Sequence, residues 1–286
     1  MSRILPKPPN FSPTIAKTSW LQHQFPWLYA FWKFSRAHTI IGTSLSVLGL
    51  YAIVLANTPP STPDAGNLSP FSLVVTLLAC LCGNVYIVGL NQLEDVEIDR
   101  INKPHLPLAS GEFSRREGEW IVAITGVLAI ALALWQGVYL FVMVATSLLI
   151  GTAYSLPPLR LKRFPFWASL CIFTVRGLIV NLGLYLHFSQ GAAILPGVWA
   201  LSSFVLVFTF AIAIFKDMPD AEGDRQYNIS TLTLRLGQKA VFDLSRWVLT
   251  ASVNLKEKRS ISRFYQFIWK LFFLEYIVFA IACWLQ

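Results

Sequence analysis

Long apolar stretches, separated by short charged connections, constrain this chain more than any other feature. Runs at 34–56, 71–93, 120–136, 138–154, 165–188 and 195–215 each reach the roughly 17–25 residues that an α-helix needs to cross a hydrocarbon core, and a seventh covers 264–285. In lipid every backbone N–H and C=O must be satisfied within the element, so such runs fold as helices. Composition agrees: 55% of residues are hydrophobic and 13% charged, against about 25% charged in soluble domains. The expectation is an all-α polytopic membrane protein with seven to eight membrane helices. Residues 1–32 form an N-terminal segment on the cytoplasmic side and 33–286 a single transmembrane domain. The stretch 240–255 is short and carries Asp243 and Arg246. It reads either as a surface amphipathic helix or as a span with a neighbour missing.

Charge sets the orientation. Lys and Arg crowd the segment before the first run and the connections after the second, fourth and sixth, while the connections after the first, third and fifth contain none. By the positive-inside rule the N-terminus and the even connections are cytoplasmic, or on the equivalent side of an organelle. The net charge of +8 therefore signals topology and anionic headgroups rather than nucleic acid. No short apolar core ending in small residues opens the chain, so a cleaved secretory signal is not expected. Neither is a long Ser- and Arg-rich plastid leader, and the sequence reads as bacterial or as a processed form. Cys80, Cys82, Cys171 and Cys283 lie in apolar runs without metal-site spacing and read as small buried hydrophobes.

Two acidic clusters share the cytoplasmic face. Asn91, Asp95 and Asp99 are spaced i, i+4, i+8, and Asp217, Asp220 and Asp224 are spaced i, i+3, i+7, so each set lies on one side of a helix. The stretches 91–99 and 216–224 hold eight of the fifteen acidic residues. Two like charges 4 Å apart repel by about 4 kcal/mol at an effective dielectric of ~20, and a divalent cation relieves this. Oxygen-only ligands favour Mg²⁺, which binds through one or two carboxylates plus substrate phosphates. Arg100, Lys103, Lys216 and Arg225 flank the clusters, and Arg160 and Lys162 follow Tyr154. Carboxylates for metal and cations for phosphate oxygens together suit a metal–diphosphate complex. Arg176 and Asn181 are polar groups at membrane depth, placed there either as a cavity wall or as an interhelical hydrogen bond. Tyr154 is the aromatic best placed to face a developing cation through its π face. A transporter would hold its charges near the midplane between broken helices, whereas these acids sit at helix ends.

At these residues the chain resembles the UbiA superfamily of intramembrane aromatic prenyltransferases. Its N-x-x-x-D-x-x-x-D and D-x-x-x-D type motifs match Asn91/Asp95/Asp99 and Asp217/Asp220/Asp224, and the similarity runs from about Arg36 onward. The stretches NQLEDVEIDRINKPHLPLASGEFS, AYSLPPLRLKR, TVRGLIVNLG and FKDMPDAEGDRQYNI are most similar to the homogentisate phytyltransferase branch. The resemblance implies a UbiA-type helical bundle and Mg²⁺ as cofactor. It implies transfer of phytyl from its diphosphate to homogentisate with loss of CO₂, on the tocopherol route, in a cyanobacterial or plastid membrane. Within it Asn91, Asp95, Asp99, Asp217, Asp220 and Asp224 hold metal. Arg100, Lys103, Lys216 and Arg225 bind diphosphate, and Arg160, Lys162 and Tyr154 assist the chemistry. The same chemistry with another prenyl donor, or with a chlorophyllide acceptor, stays open. The chain departs from the pattern at Ala37, where the family has proline, and after Trp247, where about one of the family's nine helices is missing.

Overall fold

The computed structural model describes residues 24–59, 68–216 and 258–284, and the described residues are helices joined by short turns, with no strand. A short helix α1 (Pro26–Phe34) precedes α2 (Ala37–Asn57). Next come α3 (Pro70–Glu94), the short α4 (Val96–Asn102) and α5 (Pro107–Ser110), and the pair α6 (Arg115–Gln136) and α7 (Val138–Ser155). The fifth crossing is composite: α8 (Pro165–Phe173) runs through a π-helical turn (Thr174–Ile179) into α9 (Val180–Phe188). Helices α10 (Pro196–Lys216) and α11 (Lys258–Trp284) complete the bundle. Six of these crossings are long and apolar enough to span a membrane, and α10 contributes the apolar stretch Pro196–Thr209. The protein is thus a multi-pass membrane protein. The 240–255 stretch lies outside the described residues.

Local sequence explains the ends. Ser69 caps α3, its side chain accepting from the Ser72 N–H at 3.0 Å, and Pro70 occupies the first turn, where no donor is needed. Ser114 and Glu117 form a reciprocal capping box at the start of α6. A hairpin at Gly137, with φ of 120°, turns α6 into α7.

Lipid gives little hydrophobic drive between helices, so close contact depends on small residues. The α3–α6 seam follows this rule. A Cβ on Gly126 would lie 2.6 Å from the Tyr86 ring, and one on Gly89 2.7 Å from both Phe34 and Val122. Tyr86 then bonds Thr152 on α7 at 2.9 Å. The main core joins α2, α3, α6, α7, α9, α10 and α11 around Val47, Leu50, Ala129, Leu140, Leu184 and Leu201. A second cluster, including Phe34, Leu93, Leu108 and Phe113, fastens α1 and α5 over the end of α3 and the start of α6. Large apolar side chains such as Val127, Trp135 and Leu149 point outward, as a lipid-facing surface requires.

Candidate active site

A cavity of about 270 Å³ opens between α2, α3, α7, the α8–α9 crossing and α11. Its walls are mostly apolar. At one end lie Asn91 and Tyr154, beside the acids, and Arg36 and Arg176 are the charged residues of its lining.

The first acidic motif forms the rim. The sequence predicts one continuous helical face over 91–99, but the backbone leaves the helix at Asp95 (φ −112°, ψ 17°), which ends α3 and starts α4. The i to i−4 bonds survive the break: the Asp95 N–H donates to the Asn91 carbonyl at 3.1 Å and the Asp99 N–H to the Asp95 carbonyl at 2.7 Å. The helical spacing is therefore kept while Asp95 turns toward the 156–163 loop. Its carboxylate accepts from the Asn91 amide at 3.0 Å and from Arg160 at 3.2 Å, and forms an ion pair with the buried Lys162 at 2.8 Å. Arg160 also donates to the Glu94 carbonyl at 3.3 Å. Asp99 is buried, with Lys103 at 3.9 Å and Arg36 at 4.0 Å.

Around these two carboxylates stand four cations: Arg36, Lys103, Arg160 and Lys162. Removing charge from water costs several kcal/mol per ion, and among the described residues of this half-buried rim the cations outnumber the carboxylates, an arrangement that can attract an anion. Arg36 and Arg160 also sit in the left-handed backbone region, with φ of 52° and 38°. Such conformations cost about 1–3 kcal/mol and persist where the surroundings over-determine them. For Arg36 the surroundings are visible. Buried Gln92 donates to the Phe34 carbonyl at 2.7 Å, and Thr39 donates back to the Ser35 and Arg36 carbonyls.

The other expected residues fall as follows. Tyr154 lines the cavity. Arg100 turns outward to the exposed Glu97 at 2.6 Å, away from the rim carboxylates. Arg176 lines the cavity, its guanidinium 4.7 Å from the Trp269 ring centre and 5.5 Å from that of Phe272. Asn181 sits behind that wall, fully buried, accepting from the Tyr276 hydroxyl at 2.9 Å and donating to the Gly177 carbonyl at 3.2 Å. It is an interhelical hydrogen bond rather than a cavity surface. Lys216 ends α10, and Asp217, Asp220, Asp224 and Arg225 lie outside the described residues. Sequence reasoning read Arg36 only as a topology charge and passed over Gln92 and Asn84. Asn84 lines the cavity and donates to Thr39 at 3.0 Å. A glutamine and an asparagine on the face that leads to Asn91 were the available signal.

The donor set suits a hard cation. Asn91, Asp95 and Asp99 offer amide and carboxylate oxygens, with no His or Cys among them. Among the described residues no three His, Cys, Asp or Glu side chains converge into a metal site by themselves.

Fold and rim together define a polytopic membrane protein with a cation-rich rim at the end of a largely apolar cavity. The UbiA prenyltransferase family model matches residues 45–286, and the chain belongs to that family. It is 49% identical to a homogentisate phytyltransferase of Synechocystis sp., over 90% of this chain and 96% of that protein. It is 38% identical to homogentisate phytyltransferase 1 of Arabidopsis thaliana, over 88% of this chain and 74% of that protein. A solved UbiA homologue from Archaeoglobus fulgidus, bound to GPP and Mg²⁺, has the same fold with a TM-score of 0.62. It is 19% identical, over 90% of this chain and 100% of that one. The Synechocystis alignment runs over 302 positions but draws on 90% of 286 residues, so roughly 45 positions face no residue here.

Proposed function

We propose that the chain transfers a phytyl group from phytyl diphosphate to homogentisate, releasing diphosphate and CO₂ and giving a methyl-phytyl-benzoquinol for tocopherol synthesis. The observation that carries the reading is the rim, where four cations surround two carboxylates at the mouth of an apolar cavity. The donor and acceptor follow the relatives' names at 49% and 38% identity.

The rim cations bind and orient the diphosphate, and Asn91, Asp95 and Asp99 would hold Mg²⁺, joined by Asp217, Asp220 and Asp224. The ion, when bound, supplies neutralising charge to the leaving group. Lys162 and Arg160 are within reach of Asp95 and present fixed donors where negative charge grows as the C1–O bond breaks, the kind of preorganised stabilisation that dominates many enzymes. The C1–O electron pair leaves with the diphosphate. The electron-rich ring attacks C1, a ring proton is lost, and the side-chain carboxylate departs as CO₂, leaving its pair on a benzylic carbon that takes up a proton. Tyr154 presents its π face where the allylic carbon becomes cationic. The apolar lining excludes water that would otherwise capture that carbon. The charge asymmetry of the connections supports a cytoplasmic or stromal rim in a cyanobacterial or plastid membrane.

Membranes carrying the protein, incubated with labelled phytyl diphosphate, homogentisate and Mg²⁺, should yield the prenylated methylquinol, and chelation should stop its formation. Absence of that product from intact, inserted protein sinks this reading. Parallel reactions with geranylgeranyl and solanesyl diphosphate and with chlorophyllide establish donor and acceptor preference.

A further inference from the structure

The cavity ends at one level on three of the helices that wall it. Counted from the rim, lining residues recur on α3 from Asn91 to Cys80 and on α7 from Tyr154 to Met143. On α2 they run from Arg36, its cap, to Val47. Each run covers eleven positions, or about 16 Å at a rise of 1.5 Å per residue. We propose that Met143 forms the floor of this cavity and sets the length of the isoprenoid tail that the protein accepts, an inference that rests on the chain being a prenyl-diphosphate transferase.

Three observations carry it. First, the core closes one turn beyond that level. Leu50 lies one turn past Val47 on α2, Leu140 one turn past Met143 on α7, and Leu184 one turn past the lining residue Val180 on α9. All three are fully buried and belong to the main core. On α3 the corresponding turn carries buried Thr76, bonded to His187 at 2.9 Å. A chain that enters at the rim therefore meets packed side chains at this depth. Second, Met143 is the longest side chain at the floor, where Val47, Cys80, Val144 and Val180 are its neighbours in the lining. Third, Met143 is seated. A Cβ on Gly183 would lie 2.5 Å from its Cγ and 2.7 Å from its Cβ, so the bare backbone of α9 leaves the notch that Met143 fills.

Depth then becomes specificity. With its diphosphate fixed at the rim, a donor extends its tail down the cavity and places the far end at the floor. A tail of four isoprene units, gently bent, fills a passage of this depth. A fifth unit would have to displace Met143, fold back, or leave sideways between helices. A three-unit tail fits but leaves the apolar surface at the floor uncovered. An unbranched, flexible thioether suits such a floor, because it fills irregular space closely. Shortening it opens room toward Leu140 and Leu184, and enlarging it raises the floor.

Competition assays in native-like membranes test the assignment. Equimolar farnesyl, geranylgeranyl and geranylfarnesyl diphosphates, with three, four and five units, are offered together with homogentisate and Mg²⁺, and the quinol products are resolved by mass. A product ratio within one sample does not depend on how much protein is folded. Wild type should make about 10-fold less five-unit than four-unit quinol, the scale on which an apolar pocket discriminates. Met143→Ala should raise that five-to-four ratio about 10-fold, and Met143→Val should raise it by less. Met143→Phe should move the balance toward the three-unit tail by a similar factor. Ratios unchanged across these variants overturn the proposal. So does a wild type that uses four- and five-unit donors alike, or one that uses phytyl diphosphate and refuses all three. If Met143→Ala gives no product, the milder Met143→Val and the wild-type step between four and five units decide. A wild-type protein that makes no quinol from any donor, phytyl diphosphate included, overturns the phytyl transfer reading and this inference with it, whereas loss of the length preference alone leaves that reading intact.

Discussion

The rim and the inner wall of the cavity are both charged, but they are built in different ways. The rim is local. Asn91, Asp95 and Asp99 come from one stretch of chain, and Lys103 meets Asp99 one turn later. The 156–163 loop then brings Arg160 and Lys162 to Asp95. The inner wall is long-range. Arg176 and Asn181 on the fifth crossing depend on Trp269, Phe272 and Tyr276, nearly a hundred positions away on α11. The rim's carboxylates keep their spacing through one stretch of chain, whereas the wall is only as well placed as its last helix.

Breaking the rim should therefore give the largest effect. Asp95→Ala removes the carboxylate shared by Asn91, Arg160 and Lys162, and should lower Mg²⁺-dependent prenylation by about 100-fold or more while the protein still inserts. Lys162 and Arg160 would then face each other with no counter-charge between them, so Asp95→Asn should not rescue activity. Turnover of either variant near wild-type levels, measured on protein verified in the membrane fraction, removes Asp95 from the metal and diphosphate role.

The difference between rim and wall also explains what could be read in advance. Helical spacing needs only sequence, so the motif at 91–99 and the crossings themselves were legible, and the expected run 71–93 became Pro70–Glu94. The helix break at Asp95 was not, because periodicity says nothing of where a backbone bends. Arg36 was hidden for a related reason: the expected run at 34–56 is split at Ser35 and Arg36 into α1 and α2, and only that left-handed turn points a topology charge at Asp99. Arg100 looked equal to Lys103 in sequence, yet its place three positions earlier sends it to Glu97 instead. Whether Asn181 faced the cavity or another helix depended on Tyr276, a partner that no local pattern names.

Next in size is a packing change remote from both charged regions. Gly126→Leu forces a side chain against Tyr86 where even a Cβ would sit at 2.6 Å. Overpacking of this kind costs about 1–3 kcal/mol. The variant should melt earlier in detergent and lose the Tyr86–Thr152 bond that ties α3 to α7. Residual activity at low temperature should keep wild-type KM for both substrates, because neither rim nor wall is touched. A KM change for one substrate alone would mean that the seam is coupled to one region specifically.

Smaller still is the tie between the wall and α11. A double-mutant cycle on Tyr276→Phe and Asn181→Ala isolates the 2.9 Å hydrogen bond. Interhelical bonds in membranes average about 0.6 kcal/mol by this method, so a coupling of that order in thermal or denaturant unfolding is expected. Zero coupling would leave the aromatic stack as the only support of the wall.

The smallest effect is a slope with pH that belongs to the rim alone. His105 follows Lys103 in the connection between α4 and α5, outside the membrane crossings. Burial, and then the charges of Lys33, Lys103 and Arg36, hold its pKa below the ordinary value of 6.5. The folded protein thus keeps His105 neutral where the unfolded chain takes up a proton. Its contribution to stability is present above that ordinary value and is lost as pH falls through it toward the depressed folded pKa. Wild-type protein should lose melting temperature between roughly pH 7.5 and 5.5, and His105→Gln should flatten part of that loss. Inorganic diphosphate offers a sharper version. An anion at the rim cancels part of the field of Lys103 and Arg36, raises the folded pKa and makes the wild-type slope shallower, with no such change in His105→Gln. Equal slopes for both proteins, with and without diphosphate, would separate His105 from the anion-binding rim.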